Sequence, residues 1–94
     1  MRKRLVYRVH AIERMVERGI NDDDVQQVLA EGNNIESYPS DVPYASRLLL
    51  GRCGTRPIHV VAADNSDDNE TIIVTVYEPD LNRWEPGFER RKQQ

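Results

Sequence analysis

Asn21-Asp22-Asp23-Asp24-Val25-Gln26-Gln27-Val28-Leu29-Ala30-Glu31-Gly32 is the stretch that decides the fold, because at its end the spacing of apolar residues changes from about four to two. Asn21 reads as a helix N-cap, the three aspartates suit the positive end of a helix dipole, and Val25, Val28 and Leu29 form a stripe to be buried. The helix runs to Glu31, where Gly32 is expected to adopt the left-handed conformation that closes helices. Upstream, Ala11, Ile12, Met15 and Val16 fall on one side of an earlier helix from His10 to Arg18, and Gly19 ends it. Leu5-Val6-Tyr7 is a candidate first strand.

Beyond Gly32, residues 35–38, 46–52, 56–64 and 71–78 read as strands, separated by turn-prone stretches such as Ser40-Asp41-Val42-Pro43 and Asn65-Ser66-Asp67-Asp68-Asn69. Sequential strands with short connections pair antiparallel. The expected class is therefore α+β, with two N-terminal helices packed on one face of an antiparallel meander sheet. That sheet has four strands, or five if Leu5–Tyr7 joins it. The last two strands carry apolar residues on both faces and should be central. The whole of 1–94 reads as one domain, with a flexible basic arm at 1–4 and a partly flexible tail at 85–94, where Trp84 and Phe88 suggest a loop laid back on the body.

Composition narrows the function. No apolar run approaches the ~18 residues of a membrane span, and Met1-Arg2-Lys3-Arg4 lacks the apolar stretch that a secretory signal requires, so a cytoplasmic protein is expected. Cys53 is the only cysteine and His10 and His59 are the only histidines, a poor set of soft metal ligands. No Gly-rich phosphate loop, Walker lysine or nucleophile elbow occurs, so neither a cofactor nor kinase, hydrolase or redox chemistry is expected. The net charge of −3 hides a partition: residues 1–20 sum to +4, residues 21–82 to −9 and residues 83–94 to +2. Eleven of the thirteen basic residues are arginine, whose planar fork grips phosphate or carboxylate with two hydrogen bonds.

His10, Arg14 and Arg18 are spaced i, i+4, i+8 and stack along one helix face, where an imidazole and two guanidinium groups can meet a single anion. Phosphodiester cleavage needs both a proton-transfer group and fixed positive charge on the pentacovalent oxygens. The competing reading is a solvated face in which the arginines pair with Glu13 and Glu17. By alternation His59 shares a side with Val61 and Ala63, and in the next strand Thr75 and Tyr77 share one with Ile73. If that side lies away from the helices, His59, Thr75 and Tyr77 line a groove with Arg56 at its mouth. Alternatively, His59 is a buried residue bonded to a neighbour. In the tail, Arg83, Trp84, Arg90 and Arg91 mix charge with a stacking surface, as single-stranded RNA binders do, although Trp84 and Phe88 could equally anchor the tail.

Taken together, His10-Ala11-Ile12-Glu13-Arg14-Met15-Val16-Glu17-Arg18-Gly19-Ile20, Tyr38-Pro39-Ser40-Asp41, Arg56-Pro57-Ile58-His59-Val60-Val61 and Thr75-Val76-Tyr77-Glu78-Pro79 before Trp84 resemble a small bacterial domain-of-unknown-function family, over residues 10–91. Members of that family are similar to RelE-like and MqsR-like ribonuclease toxins and are often encoded beside a zinc-finger antitoxin of the YgiT or MqsA type. The likeness implies a RelE-like fold and a metal-independent endoribonuclease acting on mRNA, with a cognate antitoxin as partner. It marks His10, Arg14, Arg18, His59, Thr75 and Tyr77 as the site. His10, Arg14, Arg18, His59 and Tyr77 are then the catalytic candidates, while Arg8, Arg56, Thr75, Arg83, Trp84, Arg90 and Arg91 are candidate contacts to nucleic acid. Two rivals remain: a non-enzymatic module binding RNA or protein, and a homodimer that buries a sheet face bearing Val61 and Ile73.

Overall fold

A computed structural model describes residues 3–93. Strand β1 (Arg4–Tyr7) leads into helix α1 (Val9–Arg18). Gly19 stops that helix in the left-handed region (φ 64°, ψ 38°), and the amides of Gly19 and Ile20 return to the Val16 and Met15 carbonyls. Helix α2 (Asp22–Glu31) starts at once. The Asn21 side chain accepts the Asp24 N–H at 2.9 Å and the Asp24 carboxylate accepts the Asn21 N–H at 3.0 Å, a reciprocal cap above three acidic residues in the first turn.

Gly32 ends α2 differently from expectation. Its backbone is extended (φ −74°, ψ 167°), not left-handed. Glycine is required there by close approach, because a Cβ would stand 2.5 Å from the Val28 carbonyl oxygen and 2.8 Å from that of Leu50.

Strands β2 (Asn33–Tyr38), β3 (Ser46–Cys53), β4 (Arg56–Asn65) and β5 (Glu70–Tyr77) follow as an antiparallel meander. The sheet order is β1-β5-β4-β3-β2, with β1 parallel to β5 from Arg4↔Glu70 to Tyr7↔Ile73. The sheet is thus five-stranded and mixed, not wholly antiparallel. A parallel neighbour needs a long connection, and both helices and three strands lie between β1 and β5. β1 makes β5 an interior strand along that stretch, and β4 is the middle of the five.

A bulge in β5 corrects a second expectation. Ala62 pairs with Ile73 but Val61 pairs with Thr75, so Val74 is an extra residue and the facing of the strand changes across it. Ile73 therefore packs under the helices with Val76, while Thr75 and Tyr77 lie on the opposite face beside Val61 and His59. The sheet face proposed to dimerise through Val61 and Ile73 does not exist as such.

The helical side is filled by Ala11, Ile20, Val25 and Val28 against Leu49, Ile58, Val60, Ala62, Ile73 and Val76. Helix α1 contributes less than its pattern suggested. Ala11 is buried and Met15 partly so, but Ile12 and Val16 face solvent, because α1 lies on β5 near the edge of the sheet and meets it along a narrow strip. On the other face, Leu48, Leu50 and His59 are also buried. There the tail crosses the sheet: Trp84 pairs with Arg91, the Glu85 N–H donates to Arg90 and the Lys92 N–H to Arg83. The tail is described through residue 93, while Gln94, Met1 and Arg2 lie outside the described residues. No described helix is long and apolar enough to cross a membrane.

Candidate functional site

Because β1 feeds directly into α1 and α1 lies on β5, the polar face of the helix stands beside the open side of β5. His10, Arg14 and Arg18 line a cleft of about 660 Å³ together with Val74, Thr75 and Tyr77. β5 runs on into the tail, which supplies the opposite wall through Asp80, Arg83, Trp84 and Arg91. The two basic ends of the chain thereby meet. Glu78 also reaches the cleft, but its carboxylate pairs with the Arg56 guanidinium at 3.4 Å. Among the described residues, none of Arg14, Arg18 and Arg83 is in an ion pair, so the alternative of a face neutralised by Glu13 and Glu17 is not what forms.

Four other candidates, His59, Arg8, Arg56 and Arg90, do not line the cleft, and two that do, Tyr77 and Trp84, are tied to His59. His59 is fully buried beneath the tail and is not on the cleft surface. Its Nε2 lies 2.9 Å from the Phe88 carbonyl, and its Nδ1 lies 3.1 Å from the Tyr77 hydroxyl. A carbonyl can only accept, so Nε2 carries the proton and Nδ1 accepts from Tyr77. Burial lowers the pKa of His59 and raises that of Tyr77. Tyr77 thus lines the cleft with its ring while its hydroxyl is committed to His59. Trp84 is 3% exposed, edge-on to His59 at 4.4 Å between ring centroids and covered by the Arg91 guanidinium at 4.8 Å, which leaves no free face for a base to stack on.

Arg56 does not itself line the cleft but is bonded to two residues that do, Arg18 and Glu78. It donates to the carbonyls of Arg18 and Gly19 and so caps the C-terminus of α1. Arg8 sits at the N-cap of α1, exposed, with its backbone N–H on Ile73. Arg90 lines a separate shallow depression of about 560 Å³ with Glu85, Pro86 and Gln93. Among the described residues no group of three or more His, Cys, Asp or Glu side chains is placed to hold a metal ion.

Sequence reasoning overlooked the group that fixes Arg91. Glu36 accepts from Arg91 at 3.3 and 3.4 Å and from the Tyr38 hydroxyl. Burial pushes Glu36 up, but the hydrogen bonds from Tyr38 and Arg91 and the Arg91 charge outweigh it and hold the carboxylate below its usual range. The only trace in the sequence is that Glu36 and Tyr38, two apart in a strand, share a face.

A family model described as a domain of unknown function (DUF4258) matches residues 7–78, about three quarters of the chain. The matched segment contains His10, Arg14, Arg18, Thr75 and Tyr77 but stops before the tail that supplies Arg83, Trp84 and Arg91. No curated protein and no solved structure matches the chain. On the length of the family match, the chain belongs to the DUF4258 family of uncharacterised domains.

Proposed function

We propose that the cleft holds the backbone of single-stranded RNA and cleaves it without a metal ion, as the toxin half of a toxin–antitoxin pair of the RelE-like and MqsR-like kind. The single observation that carries this reading is the convergence of His10, Arg14 and Arg18 with Arg83 on one cleft, with none of the three guanidinium groups paired among the described residues. In the proposed reaction His10 takes the proton of the ribose 2′-OH as the 2′-oxygen bonds to the adjacent phosphorus. The bond from phosphorus to the 5′-oxygen breaks, and the protonated imidazole returns the proton to that leaving oxygen. The products are a 2′,3′-cyclic phosphate and a 5′-hydroxyl end. Arg14, Arg18 and Arg83 stabilise the charge of the phosphorane, and removing any one of these groups should cost ~10² or more in rate.

Purified protein incubated with mRNA in EDTA tests this. Wild type is expected to release fragments ending in 2′,3′-cyclic phosphate, while His10→Ala and Arg14→Ala, both at exposed helix positions, lose at least ~10² in rate with an unchanged circular dichroism spectrum. Intact RNA, or cleavage indifferent to both substitutions, overturns the proposal. One observation favours a non-enzymatic RNA-binding module instead: Tyr77 and His59 are bonded to each other, which leaves His10 as the sole imidazole on the cleft. Salt-sensitive binding without products is its signature.

A further inference from the structure

β5 is covered along only half of its outer edge. β1 pairs with it from Glu70 to Ile73, and the ladder closes where the Arg8 N–H donates to the Ile73 carbonyl at 3.1 Å. α1 then carries the chain away, so that among the described residues Thr75–Tyr77 are paired on the β4 side alone, while Val74, the bulged residue, has no partner in the ladder. This open edge forms the floor of the cleft. Proteins protect such edges with lysine, proline, a bulge or a covering helix or loop, and here the Val74 bulge and α1 shield the start of the open stretch but leave Thr75–Tyr77 facing the cleft. Val74-Thr75-Val76-Tyr77 has neither lysine nor proline and consists of β-branched and aromatic residues that favour strand pairing.

The walls say what would pair there. Arg14 and Arg18 stand on the helix side and Arg83 on the tail side. Of the acidic groups nearby, Glu78 is paired with Arg56 at 3.4 Å, and Asp80, which accepts the Asn82 N–H at 2.8 Å, leaves one carboxylate against His10 and the arginines of the cleft. The other outer edge, on β2, carries Glu36 in its ion pair with Arg91 and offers no comparable row of free cations. We propose that the edge of β5 at Val74–Tyr77 takes an extended acidic segment of another polypeptide as a sixth strand. Alternate side chains of an added strand point to opposite faces, so carboxylates on one face meet Arg14 and Arg18 and those on the other meet Arg83. A nucleic acid has no alternating N–H and C=O groups to complete such a ladder. The inference is independent of RNA cleavage, although a strand seated here excludes RNA from the cleft.

The test uses a fluorescein-labelled peptide of about ten residues in which pairs of Glu or Asp alternate with pairs of Val or Thr, so that both strand faces carry carboxylates, titrated into the full chain at low salt and followed by fluorescence anisotropy and amide hydrogen exchange. A second peptide of equal charge carries proline at alternate positions and cannot donate to a ladder. Expected are saturable binding and slowed exchange confined to Val74–Tyr77, with affinity falling about tenfold or more for the proline peptide and for Arg14→Glu. No binding, equal affinity for both peptides, or protection centred on β2 overturns the inference. RNA cleavage without peptide binding would defeat this inference alone, and peptide binding without RNA cleavage would defeat the ribonuclease reading alone.

Discussion

Protonating His59 would add a donor where Nδ1 accepts the Tyr77 hydroxyl and would place a charge under Trp84 with no water to solvate it. Burial therefore lowers its pKa in the folded chain. The unfolded imidazole titrates near 6.5, so on acidification the unfolded state takes up the proton first. Stability is complete above ~6.5 and is lost as the pH falls towards the lowered folded value, by about 1.4 kcal/mol for each unit of difference. Glu36 and Asp64 are both held below the ordinary carboxylate range, so their contribution to stability is lost only on stronger acidification than the window used for the histidine. Thermal melts between about pH 7.5 and pH 5 should show a falling Tm in wild type and a flat one in His59→Gln, whose amide can replace both hydrogen bonds. A wild-type Tm that is level across this range would contradict the neutral buried imidazole. Alternation offered His59 and Tyr77 as neighbours only if their side lay away from the helices, and it wrongly put Ile73 on that side as well. The other partner was illegible, because the Phe88 carbonyl arrives from a left-handed residue (φ 64°) in a tail with no periodicity.

At the scale of elements, the pattern of apolar residues located both helices and all five strands, since period and caps are local properties of the sequence. It failed where one extra residue or one close approach decides the outcome. Ile72-Ile73-Val74-Thr75-Val76 is apolar or β-branched throughout, so a bulge at Val74 leaves no mark in it, yet that bulge separates Ile73 from Thr75 and Tyr77. The exposed Ile12 and Val16 were likewise invisible, because a wheel shows which residues share a side but not how wide the partner surface is. Gly32 was correctly seen as the end of α2, but for the wrong reason. Its missing side chain lets the backbone of β3 come within van der Waals reach of α2, and two carbonyl oxygens cannot rotate away from an added methyl. Gly32→Ala should therefore destabilise the fold by about 2–3 kcal/mol, lowering Tm by roughly 10 °C or more in calorimetry. A shift of only a degree or two would mean that α2 can lift from β3 at little cost.

For the whole molecule, the partition of charge along the chain foretold a cationic site, and topology explains where it forms. α1 lies on β5, β5 leads into the tail, and so the two basic ends of the sequence become the walls of one cleft. Trp84 and Phe88 suggested a tail laid back on the body, but not that it would cover His59 as a third layer of the structure. Trp84 sits against His59, the Phe88 carbonyl seals the imidazole, and Arg91 ties the segment to Glu36 on β2. Leu48 and Leu50 flank His59 on the face this layer crosses. Residues 79–92 should then unfold with the sheet and not before it. Trp84→Ala is expected to cost about 3–5 kcal/mol, as removal of a buried aromatic does, and to speed amide exchange at Leu48–Leu50 and Ile58–Val60 as well as in the tail. A tail merely draped on a self-sufficient sheet gives the opposite pattern, in which exchange quickens in residues 79–92 alone and β3 and β4 keep their protection. Because the tail also carries Arg83 and Arg91, the same variant should weaken every ligand of the cleft in proportion to the loss of order. Retained ligand affinity with a disordered tail would show that α1 alone makes the site.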